Sequence, residues 1–133
     1  SLLKDFQFYK GRVEKETNAA IESAQNDVLE NVFEVMDGLD NLLKSLDNIN
    51  IEDTSKESIS QGVEMISKKY ISSLKKYGLE PIEAIGEIAD PKYHKVIGTI
   101  SSDKEKNTIL VEYKKGYLRN GKLIRESEVI VAG

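Results

Sequence analysis

The sequence predicts an α+β protein in which a long N-terminal helix and a second helix precede a small C-terminal all-β domain. Two observations carry this prediction. Apolar residues recur at helical spacing through a stretch that contains no proline before Pro81. From Leu79 onward, short runs of β-branched and aromatic residues replace that spacing. We therefore place the helical part, a coiled-coil stalk followed by a dimerisation bundle, at residues 1–78, and the β domain at residues 79–133.

The first predicted helix carries an apolar stripe with the spacing of a coiled-coil seam. Its members, separated by alternating steps of four and three residues, are Val28, Val32, Val35, Leu39, Leu42, Leu46 and Ile49. The same spacing recurs upstream at Leu2, Phe6, Tyr9 and Val13. Between the two sets the spacing slips, and Ser23–Asp27 contains weak helix formers. We expect a break or an unwound joint at that point.

Such a helix is too long for a single compact subunit. From Leu2 to about Asn48 it would be roughly 70 Å long, at about 1.5 Å per residue, whereas a globule of this chain length is roughly 35 Å across. Each Leu or Val left in water forgoes about 1.5–3 kcal/mol. The alternative is a monomeric hairpin bundle, split at Gly38. We expect instead a parallel homodimer, with a dimerisation seam formed by Phe6, Tyr9, Val13, Val28, Val32, Val35, Leu39, Leu42 and Leu46.

A second helix is predicted by its start and stop signals. Thr54–Glu57 reads Thr-Ser-Lys-Glu, which fits a capping box. Gly78 and then Pro81 mark the end of the helix, with a glycine stop of the Schellman type. The apolar face between them consists of Ile59, Val63, Ile66, Tyr70, Leu74 and Tyr77. Two helices per subunit, doubled by dimerisation, predict a four-helix bundle.

The β domain is predicted from short alternating runs. The expected strands are residues 82–85, 95–100, 108–113 and 123–131. Between Leu118 and Lys122 the Asn-Gly pair predicts a tight hairpin, because asparagine and glycine tolerate the positive φ angles of a type I′ turn.

Composition limits the function. A net charge of −4 argues against a general nucleic-acid binder, and no apolar run is long enough for a membrane span. The absence of cysteine excludes disulfides and thiolate metal sites and fits a reducing compartment. No secretion signal is visible, and a chain that opens in helix at Ser1 without Met reads as a fragment. We expect a cytoplasmic protein with neither nucleic-acid nor membrane partners.

The search for chemistry finds little. His94, the single histidine, follows Asp90 by four positions, but the intervening proline predicts a turn and no third metal ligand is near. We interpret it as a hydrogen-bonded structural histidine at the head of a strand. Glu80, Glu83 and Glu87 are interpreted as exposed side chains rather than as an acid–base pair. We therefore expect neither enzymatic activity nor a cofactor or metal.

Several short motifs follow one another along the chain in a fixed order. They are Asp5–Arg12, Val35–Asp40, Gly62–Ile66, Lys76–Ile82, Asp90–His94, Lys115–Tyr117 and Gly121–Arg125. The ordered set resembles the GrpE family of nucleotide-exchange co-chaperones over nearly the whole chain. Phe8, Gly11, Ala89 and Lys122 depart from the residues that the family prefers.

The resemblance implies an elongated parallel dimer that binds a DnaK-type chaperone. The β domain would press on the nucleotide-binding domain of the chaperone and stabilise its open cleft, so that ADP leaves. The residues that match chaperone-binding positions of the family are Lys10, Arg12, Tyr113, Lys122, Arg125 and Val131. Arg125 is expected either as a contact or as support for the hairpin, and Tyr117 is expected in the core.

Two other readings stay open on the residues alone. The chain could be a coiled-coil scaffold whose β domain binds peptides or another protein at a sheet edge. It could also carry a nucleic-acid arm of Lys4, Lys10 and Arg12, which the acidic stretch behind them argues against.

Overall fold

The computed structural model describes all 133 residues and confirms the predicted order of a long helix, a second helix and a small β domain. Helix α1 spans Leu2–Ser45 and continues as a short 3-10 turn at Leu46–Asn48. Helix α2 spans Asp53–Lys75. The strands are β1 (Leu79–Pro81), β2 (His94–Ile100), β3 (Ile109–Lys114), β4 (Tyr117–Arg119), β5 (Lys122–Arg125) and β6 (Ser127–Ala132). Neither helix contains a stretch that is both long enough and apolar enough to cross a bilayer.

Helix α1 is continuous over 44 residues, so the break expected at Ser23–Asp27 is absent. Serine, asparagine and aspartate in a helix cost at most about 0.7 kcal/mol each relative to alanine. That penalty is too small to interrupt a long helix without a proline. The helix also passes through Gly38, which excludes the alternative of a hairpin split at that residue.

Helix α2 starts differently from the prediction and ends as predicted. Its N-cap is Glu52, with no side-chain cap hydrogen bond, so the capping box at Thr54–Glu57 was wrong. Thr54 already lies inside the first turn. At the other end, Gly78 adopts φ +84°, as a glycine stop requires. The bond from Gly78 N–H to the Lys75 carbonyl, 3.0 Å, is the inner bond of the predicted Schellman motif. The Leu74 carbonyl, which would accept the outer bond, accepts instead from Tyr77 N–H at 3.0 Å.

The chain forms two compact units, residues 1–36 and residues 37–133. The first unit is a helical segment of α1. The second contains the C-terminal end of α1, α2 and all six strands.

The strands form two three-stranded sheets. One has the order β1-β4-β5 and is antiparallel throughout. The other has the order β2-β6-β3, in which β6 is parallel to β2 and antiparallel to β3. The core of the second sheet is formed by Ala84, Ile109, Val129 and Val131.

The chain crosses between the two sheets three times, first over residues 82–93 between β1 and β2, and the other two crossings touch each other. It passes from β3 to β4 at Gly116, and it returns from β5 to β6 at Glu126. A Cβ atom on Gly116 would lie 2.4 Å from the Ser127 nitrogen and 2.6 Å from the Arg125 carbonyl oxygen. Only glycine permits this approach of the two backbones.

The structure confirms β2, β3 and the Asn-Gly hairpin. Asn120 and Gly121 have φ angles of 50° and 82° and join β4 to β5 as a two-residue turn. Two other strand predictions were wrong. The strand predicted at 82–85 lies instead at β1, and the run predicted at 123–131 is divided between β5 and β6, which belong to different sheets. The short strand β4 was not predicted.

Candidate functional site

The apolar stripe of α1 remains largely exposed in the chain. Val28, Val35 and Leu42 follow one another at seven-residue intervals and are 62, 50 and 41 % exposed. Phe6, Tyr9 and Val13 are also exposed, and Val32 and Leu39 are half-buried. Leu46 differs from the expected seam, because its side chain is only 3 % exposed and is already buried within its own chain.

Helix α2 adds further exposed apolar side chains. They are Ile59, Met65, Ile66 and Tyr70, and Tyr77 is exposed just beyond the end of the helix. Large apolar side chains that stay exposed at helical spacing favour an interaction surface.

The predicted stalk residues Lys10 and Arg12 are exposed on α1. The Arg12 Nε lies 3.9 Å from the Glu16 Oε1, and the Arg12 guanidinium lies 5.6 Å from the centre of the Tyr9 ring. An exposed pair of this type contributes little stability. The guanidinium can therefore exchange Glu16 for a carboxylate of another molecule at small cost.

Two of the predicted contact residues in the β domain are exposed. Tyr113, at the end of β3, is 62 % exposed. The Lys44 Nζ donates to the Tyr113 carbonyl at 3.1 Å and lies 5.5 Å from the centre of its ring. Lys122 is exposed at the start of β5, beside the Asn-Gly turn.

Val131 was expected at the contact surface, and for its side chain this was wrong. It is 1 % exposed and packs in the core with Ile109 and Val129. Because β6 is the central strand of its sheet, both of its edges are paired and alternate side chains point into the core.

Arg125 is held by its own chain. Its Nη1 and Nη2 atoms donate to the two carboxylate oxygens of Asp37 at 2.9 and 2.8 Å, and its Nε donates to the Lys115 carbonyl at 2.8 Å. The guanidinium also lies 5.4 Å from the ring centre of Tyr117. A bidentate arginine–carboxylate pair fixes geometry as well as charge. Of the two expected roles, this arrangement favours support over contact.

A second polar contact lies next to the first. The Lys115 Nζ is 3.6 Å from the Asp40 Oδ1. Asp40 and Lys115 also line an open depression of about 230 Å³. The other lining residues are Leu43, Lys44, Glu112 and Tyr113.

Glu112, which lines this depression, is partly buried and forms a polar pair with Ser127. Burial raises the pKa of the Glu112 carboxyl, and a side-chain hydrogen bond with Ser127 lowers it in part. The Ser127 Oγ in turn accepts a hydrogen bond from Gly116 N–H at 3.0 Å. Next to it, Tyr117 is fully buried, as expected, and burial raises the pKa of its hydroxyl.

His94 has the structural role that the sequence predicted. It is buried at the start of β2, and its Nδ1 accepts a hydrogen bond from Asp90 N–H at 2.9 Å. The same turn is closed by a bond from Lys92 N–H to the Asp90 Oδ1 at 2.9 Å.

Sequence reasoning missed the role of three polar residues of α1. Asp37 and Asp40 were noticed only as part of the motif Val35–Asp40, and Lys44 was given no role. Their spacing of three and four residues was the available signal, because it places them on one face of a helix.

The fold and these surfaces define a class of protein: an α+β chain whose long helices leave an apolar stripe exposed and whose small β domain displays aromatic and basic side chains. Within that class the chain belongs to the GrpE family, whose model, described as GrpE, matches residues 1–133.

Curated relatives support the same assignment. The chain is 33 % identical over 132 residues to Protein GrpE of Desulfatibacillum aliphaticivorans, which covers 98 % of this chain and 62 % of that protein. It is 33 % identical to Protein GrpE of Parageobacillus thermoglucosidasius, over 98 % of this chain and 57 % of the relative. It is 32 % identical to Protein GrpE of Geobacillus stearothermophilus, over 98 % of this chain and 58 % of the relative. The chain thus spans about six tenths of the length of these relatives.

Proposed function

We propose that this protein is a nucleotide-exchange factor of a DnaK-type chaperone. Its β domain binds the nucleotide-binding domain of the chaperone, stabilises the open cleft and accelerates the release of ADP. Membership of the GrpE family along the whole chain is the observation that carries this proposal.

The physical basis of such an activity is a population shift. The factor needs no contact with the nucleotide, because it accelerates release by binding the open cleft more tightly than the closed one. Each tenfold preference for the open state corresponds to about 1.4 kcal/mol of differential affinity. A few well-placed polar and aromatic contacts are enough to supply that difference.

We propose four residues as direct contacts: Lys10 and Arg12 on the stalk, and Tyr113 and Lys122 on the β domain. Their exposure supports this role. Lys122 carries a point charge where an arginine would carry a planar fork, so it recognises a carboxylate with less directional preference. Val131 contributes indirectly, by holding the sheet on which Tyr113 lies.

We also propose that the protein acts as a parallel homodimer. The exposed apolar stripe of α1 and the exposed apolar residues of α2 support this, since each buried Leu or Val side chain contributes about 1.5–3 kcal/mol. Two helices from each subunit then share one bundle core.

The test is stopped-flow release of fluorescent ADP from a cognate DnaK-type chaperone. We expect the wild-type protein to accelerate release at least tenfold at micromolar concentration. Lys122→Glu should raise the concentration needed for half-maximal acceleration at least tenfold, because it places a negative charge against a carboxylate. Lys106→Glu, the same change on another exposed lysine of the β domain, is the matched control and should retain wild-type behaviour.

Two outcomes would contradict the proposal at different levels. If the wild-type protein does not accelerate release, the scaffold alternative takes precedence, with peptides binding along the edge strand β2. If the wild-type protein accelerates release and Lys122→Glu acts equally well, Lys122 is not a contact residue.

A further inference from the structure

Three polar residues at the C-terminal end of α1 form a ladder of contacts with the strands. Asp37, Asp40 and Lys44 are spaced by three and four residues, so they share one face of the helix. Their partners are the Arg125 guanidinium, the Lys115 ammonium and the Tyr113 carbonyl, respectively. We call this set of three contacts the helix latch.

We propose that the helix latch sets the orientation in which the β domain presents Tyr113 and Lys122 to the chaperone. Arg125 and Lys115 are then positioning residues, which act through Asp37 and Asp40 instead of touching the partner. The inference rests on the proposed exchange activity and assigns these four residues a part in it.

The geometry of the latch favours a role in orientation. The Arg125–Asp37 pair is bidentate, and the same guanidinium holds the Lys115 carbonyl through Nε. This arrangement fixes the direction of approach as well as the distance. One arginine thereby ties the end of β5 and the turn after β3 to the same carboxylate of α1.

The composition of the latch points the same way. All three contacts are polar and partly exposed, with side-chain exposures of 20 % for both Arg125 and Asp37 and 45 % for Lys115. The Lys115–Asp40 contact is long and contributes little to the free energy of unfolding. The bidentate Arg125–Asp37 pair is more buried, so it holds the end of α1 and the strands in one arrangement.

The latch also lies close to both proposed contact residues. Lys44 binds Tyr113 directly, through its backbone carbonyl. Lys115 follows Tyr113 by two positions, and Arg125 is on the same short strand as Lys122. A change in the latch therefore moves the residues that meet the partner.

A charge-reversal pair tests the proposal. We expect Asp37→Arg and Arg125→Glu each to raise the half-maximal concentration for ADP release at least tenfold, at a temperature where circular dichroism shows that both variants are folded. The double variant restores the ion pair with reversed polarity but not the bond to the Lys115 carbonyl, so we expect partial recovery, with a half-maximal concentration at least threefold lower than that of either single variant.

The same experiment separates positioning from contact. If Arg125 itself met a carboxylate of the chaperone, the double variant would remain as weak as Arg125→Glu, and this outcome would overturn the inference. As a control, adding Asp37→Arg to Lys122→Glu should give no rescue, because Lys122 is a contact and not a latch residue. Wild-type activity in single variants at Asp37 and Arg125 would also overturn it.

A distance measurement tests the latch without the chaperone. Because the chain has no cysteine, nitroxide labels can be placed at Asn41→Cys on α1 and Lys104→Cys in the β domain, in labelled protein diluted with unlabelled protein. We expect one narrow distance distribution in the wild-type background, a broad one with Arg125→Glu, and a narrow one again in the double variant. An unchanged distribution in Arg125→Glu would refute the latch even if the protein proves inactive in exchange.

Discussion

At the residue scale, Gly116 permits the close approach of the two backbone connections between the sheets. A methyl group at this position would meet the Ser127 nitrogen and the Arg125 carbonyl well inside contact distance, and both are backbone atoms that cannot turn away. We expect Gly116→Ala to destabilise the β domain by about 3 kcal/mol or more. Thermal unfolding followed by circular dichroism would show this as a lower melting temperature.

The matched control is Gly98→Ala, in β2 of the same domain. Its Cβ would have one neighbour, an atom of Ile130 at 3.9 Å, which is an ordinary contact distance. Equal losses of stability in the two variants would refute the role given to Gly116.

Glu112 provides a test that depends on pH. Burial raises the pKa of its carboxyl. The carboxyl therefore binds a proton more tightly in the folded protein than in the unfolded chain. Its contribution to stability is therefore fully present below the unfolded pKa, near 4.5, and is lost as pH rises through the folded value. Glu112→Gln removes this pH-dependent loss of stability, because an amide does not ionise. The amide can also keep a hydrogen bond with Ser127.

We therefore expect Glu112→Gln to be more stable than the wild-type protein at pH 7, with the difference shrinking toward zero below pH 4.5. Urea unfolding at several pH values measures it. Glu105→Gln, an exposed glutamate of the loop before β3, is the control and should show no such trend. A Glu112→Gln variant that is less stable at pH 7 would contradict the argument.

Single residues were also where sequence reasoning reached its limit. The resemblance to the family predicted that Arg125 and Val131 both contact a partner. A motif does not show which side chains are instead bound or buried within their own chain. Asp37, 88 positions earlier in the chain, takes the guanidinium of Arg125, and the pairing of β6 on both edges buries Val131. Contacts between residues so far apart leave no periodic signal in one sequence.

At the scale of elements, local signals predicted what local physics determines. The Asn-Gly turn and the glycine stop of α2 were predicted correctly, because positive φ angles select those residues. The residues at 82–85 alternate like those of a strand. They form only one backbone hydrogen bond of the kind that joins strands, from Ile82 N–H to the Gly116 carbonyl. Strand β4 has three residues, too few to show a period.

Gly78, at the end of α2, is hydrogen-bonded to the turn between β4 and β5. Asn120 N–H donates to the Gly78 carbonyl at 2.9 Å, and the Asn120 Oδ1 would lie 1.9 Å from a Cβ on Gly78. Gly78→Ala should therefore be destabilising for two separate reasons: about 1–2 kcal/mol for the left-handed backbone, and a further loss for displacing the amide of Asn120.

The double variant separates these two causes. Adding Asn120→Gly to Gly78→Ala removes the clash but leaves the backbone cost. In urea unfolding we expect the change at Gly78 to cost less in the Asn120→Gly background than in the wild-type background. Strictly additive effects would show that the Asn120 side chain is not seated against Gly78.

At the scale of the whole molecule, the exposed apolar stripe is the feature that a single chain leaves without cover. Val28, Val35 and Leu42 occupy one heptad position, and their exposure is typical of a helix that lacks its partner. Helix length, spacing and composition were enough to predict this from the sequence, because a repeat of seven residues is a local property. The partner itself is not encoded locally, so the dimer stays a prediction.

Sedimentation of the wild-type protein should find a dimer at micromolar concentration, and Val35→Asp should shift it toward monomer. A buried aspartate loses the apolar contribution of valine, about 1.5–3 kcal/mol in each subunit, and it also carries an unpaired charge into the interface. The double loss corresponds to at least a hundredfold weaker dimer, at about 1.4 kcal/mol for each factor of ten. Phe8→Asp is the control, since Phe8 is exposed but lies outside the heptad stripe. A wild-type protein that sediments as a monomer, or a Val35→Asp variant that dimerises as tightly as Phe8→Asp, would show that the stripe serves another purpose.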